Sequence, residues 1–262
     1  MLRIQMASRS ETGKRKRNED DLRTGRYGSH DEICFAVLSD GAGGHPGGAQ
    51  ASDLVVRRAM LGLQGARQMD AATLTQLVHD THAALGEQPA VKDGDRMHAT
   101  LVMLWLDALR GEALWTHVGD SRLYFFRQGR VCHASRDDSV VQSLLDAGYL
   151  TAEEARTHPG RHQLVSAMGI HSALQPHTLA NPLALAEGDA FLMCSDGWWD
   201  HFDVPALEAS LAAANGPQSW LDDMRRHIEQ AASPRQDNYS AIAIWVGDLT
   251  QVTVVHSVYQ LP

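Results

Sequence analysis

Hydrophobic residues recur along the chain in short blocks whose spacing shifts between that of strands and that of helices. Ile33–Leu38 (ICFAVL) is continuously apolar, which predicts a short strand buried on both faces. Ala51, Leu54, Val55, Ala59 and Leu61 fall roughly on one face of a helix over about Ala49–Leu63. A second helix is predicted over Ala71–Leu85. Thr100–Leu106, Ala113–Val118 and Leu123–Phe126 read as strands. Gly119–Arg122 joins the last two, and a Gly-Asp pair between apolar runs predicts a hairpin; Arg127–Arg130 reads as a further turn. Val140, Val141, Leu144 and Leu145 give helical spacing within Ser139–Gly148. Thr151 and Glu154 match a capping box, in which the Thr hydroxyl accepts from the Glu154 amide and the carboxylate reaches back. A strand at Ala190–Cys194, helices at Val204–Ala214 and Trp220–Ala232, and a strand at Ser240–Val246 complete the pattern. Strands and helices are segregated rather than strictly alternating, so the expectation is an α+β domain built of layers with largely antiparallel sheets.

Neither a repeat nor a Pro/Ser-rich linker interrupts the 262 residues, and one domain over 1–262 is expected. With 44% hydrophobic and 21% charged residues the composition is that of an ordinary globular chain. The longest apolar run, Ala99–Leu106, is broken by Thr100 and is too short for a membrane span. Met1–Ser10 lacks the apolar core of a signal peptide, which makes the cytoplasm the expected location. Cys34, Cys132 and Cys194 are widely separated and odd in number, so reduced, structural thiols are expected. The formal charge of −9 argues against nucleic acid as a partner. The single basic run, Lys14–Arg17, reads as a solvated loop.

Four aspartates change the picture. Asp40 follows the strand Ile33–Leu38, Asp120 sits between two apolar runs, Asp196 follows Phe191–Cys194, and Asp237 precedes Ser240–Val246. Asp40 and Asp196 share one context, an apolar strand followed by Ser-Asp-Gly. A carboxylate at the end of a buried strand is costly without a partner, and no nearby sequence supplies four cations. Hard divalent metals would meet that cost, oxygen ligands suiting magnesium or manganese. Aspartates are also ordinary turn residues. On their chemistry alone the two readings stand level.

Other candidates carry less. The glycine-rich stretch Gly41–Gly48 lacks the lysine of a phosphate-binding loop, and Asp40 at its mouth would repel a phosphate; it suits a tight turn approaching a metal. His158 and His162 have ligand-like spacing but lie in a Pro-Gly loop with no third partner, so zinc is not expected. His117 reads as a packed or edge residue of a strand, and Trp198-Trp199 as half core and half surface. There is no Gly-x-Ser-x-Gly elbow.

Eight segments then occur in the order of a known family: Arg15–Asp20 (RKRNED), Val37–His45 (VLSDGAGGH), Met97–Thr100 (MHAT), Val118–Arg122 (VGDSR), Asp137–Ser139 with Ala147–Thr151, Ser166–Gly169 (SAMG), Cys194–Gly197 (CSDG) and Asp237–Ser240 (DNYS). Spanning about 13–246, they resemble the metal-dependent PPM-type Ser/Thr protein phosphatases, the protein phosphatase 2C-like family, in bacterial form. The resemblance implies a four-layer α-β-β-α sandwich with two antiparallel β-sheets flanked by helices. It implies two manganese or magnesium ions bridged by Asp40, with the Gly41 carbonyl on one and Asp196 and Asp237 on the other. Glu19 and Asp20, together with Asn238, would lie in the shell behind the ligands. Asp120 with Asp196 would serve a weaker third metal. Arg15 would grip the substrate phosphate, with Arg17 as a rival because the Gly13-to-Asp20 spacing is one residue short.

In that family a metal-bridging hydroxide attacks phosphorus in line and releases serine or threonine without a phosphoenzyme. This chain departs from the pattern in three places. Ala42 stands where eukaryotic members have a His assigned as general acid, and His45 lies too far along to inherit the role. His98-Ala99-Thr100 replaces Gly-Thr-Thr, and Asp137-Asp138-Ser139 replaces Asp-His-Ser. The segment about 137–163 corresponds to a variable flap that shapes substrate choice. The partners implied are a phosphoprotein and a cognate Ser/Thr kinase, type VI secretion control being one setting and an anti-sigma partner-switching circuit another. A pseudophosphatase acting as a binding module is the alternative; retention of Asp40, Asp196 and Asp237 argues against it. Without the family, a metal-dependent nuclease is the runner-up, and the acidic balance counts against that.

Overall fold

The computed structural model describes residues 1–42, 47–66, 68–89, 96–170, 174–231 and 233–247. In chain order the elements are β1 (Ile4–Glu11), β2 (Asp20–Tyr27), β3 (Ile33–Ala42), α1 (Gly48–Leu63), α2 (Ala71–Gly86), β4 (His98–Ala99), β5 (Leu101–Asp107), β6 (Glu112–Val118), β7 (Arg122–Arg127) and β8 (Arg130–Ala134). They continue as α3 (Val140–Asp146), α4 (Ala152–Thr157), β9 (His177–Thr178), β10 (Leu183–Ala184), β11 (Ala190–Cys194), α5 (Asp196–Trp199), α6 (Val204–Ala213), α7 (Pro217–Ala231) and β12 (Tyr239–Val246). One sheet has the order β1-β12-β11-β7-β8. The other runs β10-β6-β5-β3-β2, with β4 joined to β3 and β9 to β6. Every pairing between these strands is antiparallel.

Side-chain alternation along the central strands sorts residues into three apolar layers. From β3, Cys34, Ala36 and Leu38 enter the layer between the sheets, where they meet Val102, Leu104, Leu123, Phe191, Ile242 and Ile244. Ile33, Phe35 and Val37 point the other way, onto Ala51, Val55 and Ala59 of α1 and Leu74 and Val78 of α2. On the far side, Leu192, Cys194, Ala243 and Trp245 pack against Leu207, Trp220, Leu221 and Ile228 of α6 and α7. The run ICFAVL lacks polar alternation because both of its faces are buried. Helix, sheet, sheet and helix therefore stack as four layers, the α-β-β-α arrangement expected. Leu61, assigned by spacing to the buried face of α1, is instead exposed, and Val56 and Leu63 fill that stripe.

The predicted hairpin at Gly119–Arg122 is corrected by the structure. β6 belongs to one sheet and β7 to the other, so this turn carries the chain across the sandwich. Gly119 takes φ +96°, and a Cβ there would stand 2.8 Å from the Thr100 methyl. The chain does turn here, but β7 then pairs with β8 and β11 rather than with β6. The tight hairpin lies one connection later, at Arg127–Arg130, where Gln128 and Gly129 both have positive φ. The capping box of α4 is present, with Thr151 accepting from the Glu154 amide. Cys34 and Cys194 are buried, whereas Cys132 is exposed on β8. His117 is packed in β6, and Trp198 is core while Trp199 is partly exposed. Residues 43–46 of the glycine-rich stretch, His45 among them, lie outside the described residues, as does Ala232.

Candidate metal and phosphate site

Strand ends from both sheets converge at one end of the sandwich. Asp40 lies near the end of β3, Asp20 opens β2 directly opposite it, and Asp120 lies in the turn that crosses between sheets. Asp196 opens α5 just after β11, and Asp237 precedes β12. Together with Arg15, Glu19, Gly41, Thr100, His162, Leu164 and Asn238, four of these aspartates line a cavity of about 350 Å³: Asp40, Asp120, Asp196 and Asp237. Asp20 lies behind it, buried, with Oδ2 accepting from the Ser195 hydroxyl at 2.8 Å.

Backbone and hydroxyl contacts hold these carboxylates in place. The Asp40 amide donates to Thr100 Oγ1 at 2.9 Å, and Thr100 Oγ1 contacts Ser121 Oγ at 2.7 Å. The Ser39 hydroxyl donates to the Thr100 carbonyl at 2.6 Å. On the other sheet the Ser240 amide donates to Ser195 Oγ, tying the segment before Asp196 to the strand after Asp237. Gly41 has no room for a side chain, since a Cβ would lie 2.2 Å from the Gly48 carbonyl oxygen at the start of α1. A Cβ on Gly48 would in turn stand 2.9 Å from the Gly41 oxygen and 2.8 Å from the Glu19 carboxyl carbon. The glycines thus let β3, α1 and Glu19 meet at backbone distance.

The cluster is electrostatically strained without cations. Withdrawal from water, and then the charges of Asp20, Asp196, Asp120 and Asp237, hold Asp40 well above the ordinary carboxylate range. Burial, followed by Asp196 and Asp137, raises Asp120 as well. Burial drives Asp20 up to about 7 despite hydroxyl contacts that oppose it. Asp20 Oδ1 is buried and has no hydrogen-bond partner. Oxygen donors from five carboxylates around one cavity, with an orphaned oxygen behind them, fit hard divalent cations.

Arg15 stands on the loop between β1 and β2. Its guanidinium contacts Asp237 Oδ2 at 2.5 Å, and that contact raises it above its ordinary value. Asn238 builds this loop. Its Oδ1 accepts from the Glu19 amide at 2.9 Å, and its Nδ2 donates to the carbonyls of Thr12 at 2.8 Å and Arg17 at 2.9 Å. Of the rival arginines, Arg15 lines the cavity and Arg17 does not; the Arg17 side chain is exposed.

His162, whose spacing from His158 looks ligand-like but is set aside on sequence for want of a third partner, reaches the site. It lies far along the flap, yet its Nδ1 is 2.8 Å from Asp196 Oδ2. Asp120, His162 and Asp196 each offer a ligand atom, all within 4.8 Å of one another. The local pattern could not show its partners, because the flap folds back through tertiary contacts. These are the Ser139–Leu164 bridge and the Arg161–Asp200 ion pair at 2.6 Å. Deeper in, Arg122 clamps Asp137 through two bonds of 2.8 Å and lies 3.5 Å over the Trp199 ring. The Trp199 indole N–H donates to the Asp120 carbonyl at 2.9 Å.

Residues 8–237 match the family model described as "Protein phosphatase 2C". The chain belongs to the protein phosphatase 2C family. It is 33% identical over 213 residues to the serine/threonine protein phosphatase PstP of Mycobacterium tuberculosis, a match covering 79% of this chain and 39% of PstP. The match thus spans about two fifths of that relative's length. The crystal structure of the PstP catalytic domain in complex with 2 manganese ions superposes with a TM-score of 0.76 at 29% identity, covering 95% of this chain and 100% of that one. PppA, described as a key regulatory component of T6SS in Pseudomonas aeruginosa, gives a TM-score of 0.74 at 27% identity over 93% of this chain and 97% of its own. Two antiparallel sheets flanked by helices are thus the fold this protein phosphatase 2C member shares with those structures. Among the described residues no helix is long and apolar enough to cross a membrane.

Proposed function

We propose that this chain hydrolyses phosphoserine and phosphothreonine in proteins with the help of bound divalent cations. The observation that supports this reading is the convergence of Asp40, Asp120, Asp196, Asp237 and Arg15 on one cavity. Asp40, the Gly41 carbonyl, Asp196 and Asp237 would hold two manganese or magnesium ions, with Glu19, Asp20 and Asn238 behind them. Bound there, the cations supply Lewis acidity, which makes water a nucleophile near neutral pH and offsets phosphoryl charge. Arg15 leaves Asp237 to bind two phosphate oxygens through its planar fork, which fixes phosphorus for in-line displacement. Asn238 keeps that arginine at the cavity edge by closing the loop on which it stands. A weaker third cation would use Asp120 and Asp196, with His162 as an added donor.

The same reading takes the chain as one phosphatase domain, with 137–163 as a flap beside the cavity, and places it in the cytoplasm. Its substrates would be products of a Ser/Thr kinase. The match across 97% of PppA supports a setting of the T6SS type. The test is phosphate release from a phosphothreonine peptide with manganese, with magnesium and with EDTA, beside Asp237→Asn. Metal-dependent release that the variant loses sustains the proposal. Folded protein that binds manganese yet releases nothing refutes it.

A further inference from the structure

Asp138 stands where the family pattern has a histidine, and the structure gives it a specific task. Its Oδ2 accepts from the Gly119 amide at 2.9 Å, while its own amide donates to the Gly119 carbonyl at 2.9 Å. Gly119 immediately precedes Asp120 and is held in a positive-φ conformation against Thr100. The remaining carboxylate oxygen, Oδ1, accepts from His177 Nε2 at 2.8 Å. His177 reaches it from β9, the strand added to β6, and stacks on His117 with ring centroids 4.8 Å apart and planes 19° apart. His117 is buried and donates from Nε2 to the Arg136 carbonyl at 2.8 Å, leaving Nδ1 without a partner. That ring is therefore fixed in one tautomer and offers His177 a rigid plate.

We infer that Asp138, oriented by His177, is a positioning residue that aims the Asp120 carboxylate into the cavity. Asp120 is then gripped on both flanks, by Asp138 through the Gly119 peptide and by Trp199 at its own carbonyl. Neither Asp138 nor His177 lines the cavity, so both act through Asp120. The residue before Asp138 grips the same turn, and the one after it starts the flap's first helix. Asp137 clamps Arg122, and Ser139 caps α3, so the root of the flap is built onto the Asp120 connection. A reciprocal pair at Gly119 fixes a backbone direction in a way that one hydrogen bond does not.

The inference rests on the reading of Asp120 as a cation ligand, and the experiment separates the two. Manganese is titrated into metal-free protein by calorimetry, and phosphothreonine-peptide hydrolysis is followed against manganese concentration. The proteins are the natural chain, Asp120→Asn, Asp138→Ala, Asp138→Asn and His177→Phe. The expected result is that Asp138→Ala keeps two tight manganese ions and weakens the third binding event about tenfold. The manganese concentration for half-maximal kcat rises in step, with peptide KM unchanged. Asp138→Asn, which retains an acceptor for the Gly119 amide, recovers most of the loss. His177→Phe, which keeps the stack and loses the hydrogen bond, shows a smaller shift in the same direction. A purely structural role would lower Tm and all manganese affinities together, without rescue by Asn, and would overturn the inference. So would third-site affinity in Asp138→Ala equal to that of the natural chain. If Asp120→Asn binds manganese as the natural chain does, the cation reading of Asp120 fails first and takes the inference with it.

Discussion

Asp20 and Asp40 face each other across β2 and β3 in register, two carboxylates at one ladder position, Asp20 buried and Asp40 half-buried at the cavity. Like charges directly opposite in a sheet destabilise it, so the pair is tolerable only when protonated or neutralised. Burial lifts Asp20 from 3.8 to about 7 in the folded chain. The metal-free fold therefore holds a proton that the unfolded chain gives up above 3.8. Because the folded value is the higher one, this contribution to stability is complete below 3.8 and is lost as pH rises through about 7. Metal-free protein should melt at progressively lower temperature across that window relative to the manganese-loaded form. The rise in Tm on adding manganese should be larger at about pH 8 than at about pH 5.5. Titration in two buffers of different ionisation enthalpy should show proton release on binding. A metal-induced Tm shift independent of pH would contradict the coupling.

The two arginines of the β1–β2 loop separate by geometry. Arg15 lines the cavity against Asp237, whereas Arg17 offers only its carbonyl, to Asn238. A charge-assisted contact contributes ~1.5–3 kcal/mol, so Arg15→Ala should cost about 10- to 100-fold in kcat/KM on a phosphopeptide. Arg17→Ala should stay within about threefold. Steady-state kinetics on the two variants decides it, and equal losses would remove the distinction.

Asn238 is buried at 4% exposure and serves three backbone partners. Asn238→Ala removes the side-chain partner of the Glu19 amide and of the Arg17 carbonyl, and leaves the Thr12 carbonyl with only the Arg15 amide at 3.4 Å. Each unsatisfied buried group costs ~1–3 kcal/mol, and partial rehydration of this loop brings the expected loss to about 2–4 kcal/mol. Denaturant unfolding measures it. Activity should fall by more than stability explains, because Arg15 is released from the cavity edge even where the protein remains folded.

Where the chain was readable and where it was not has a physical pattern. β3, β5 and β11 were legible because each is sandwiched between apolar layers and carries an unbroken apolar run. β1, β2 and β8 were missed because they are edge strands. IQMASRSE, DDLRTGRY and RVCHA mix exposed and half-buried positions and carry little of the apolar signal. The Gly119–Arg122 turn misled because local sequence encodes a reversal but not which sheet receives the next strand. In the site, Asp40, Asp120, Asp196 and Asp237 stood out by their place at strand ends. Glu19 and Asp20 drew attention only through the family pattern, because the strand that Asp20 opens is a polar edge. His162 carried only the ambiguous spacing from His158, and its partners could not be read locally, its place being set by the flap's return to Asp196.

Gly41→Ala tests the close meeting of β3 and α1. The added methyl would stand 2.2 Å from the Gly48 carbonyl, a backbone atom that cannot step aside alone. Overpacking of this kind costs ~1–3 kcal/mol, and relieving it would shift the Gly41 backbone, whose own carbonyl is proposed for one cation. Manganese affinity should therefore drop by more than about tenfold while the protein still folds. Binding like that of the natural chain would show that the junction yields without disturbing the site.

His162 supplies the only nitrogen among the three donors grouped with Asp120 and Asp196, and the shape of the site makes its effect specific. Imidazole favours transition metals over magnesium, which prefers an all-oxygen shell. The third position should therefore bind manganese or cobalt in preference to magnesium, although the other carboxylates provide the oxygen shell that magnesium accepts. His162→Gln replaces the nitrogen by an oxygen and should narrow the manganese-to-magnesium preference at the weak position roughly tenfold, leaving the tight pair unchanged. Because His162 also bonds Asp196 through Nδ1 from the flap, third-site occupancy and flap position are linked. Pulsed electron paramagnetic resonance with manganese in excess gives a direct readout. Imidazole-nitrogen coupling should be present in the natural chain and absent in both His162→Gln and Asp120→Asn. Its absence from the natural chain at saturating manganese would remove His162 from the donor set and leave the Asp196 contact as a flap latch alone.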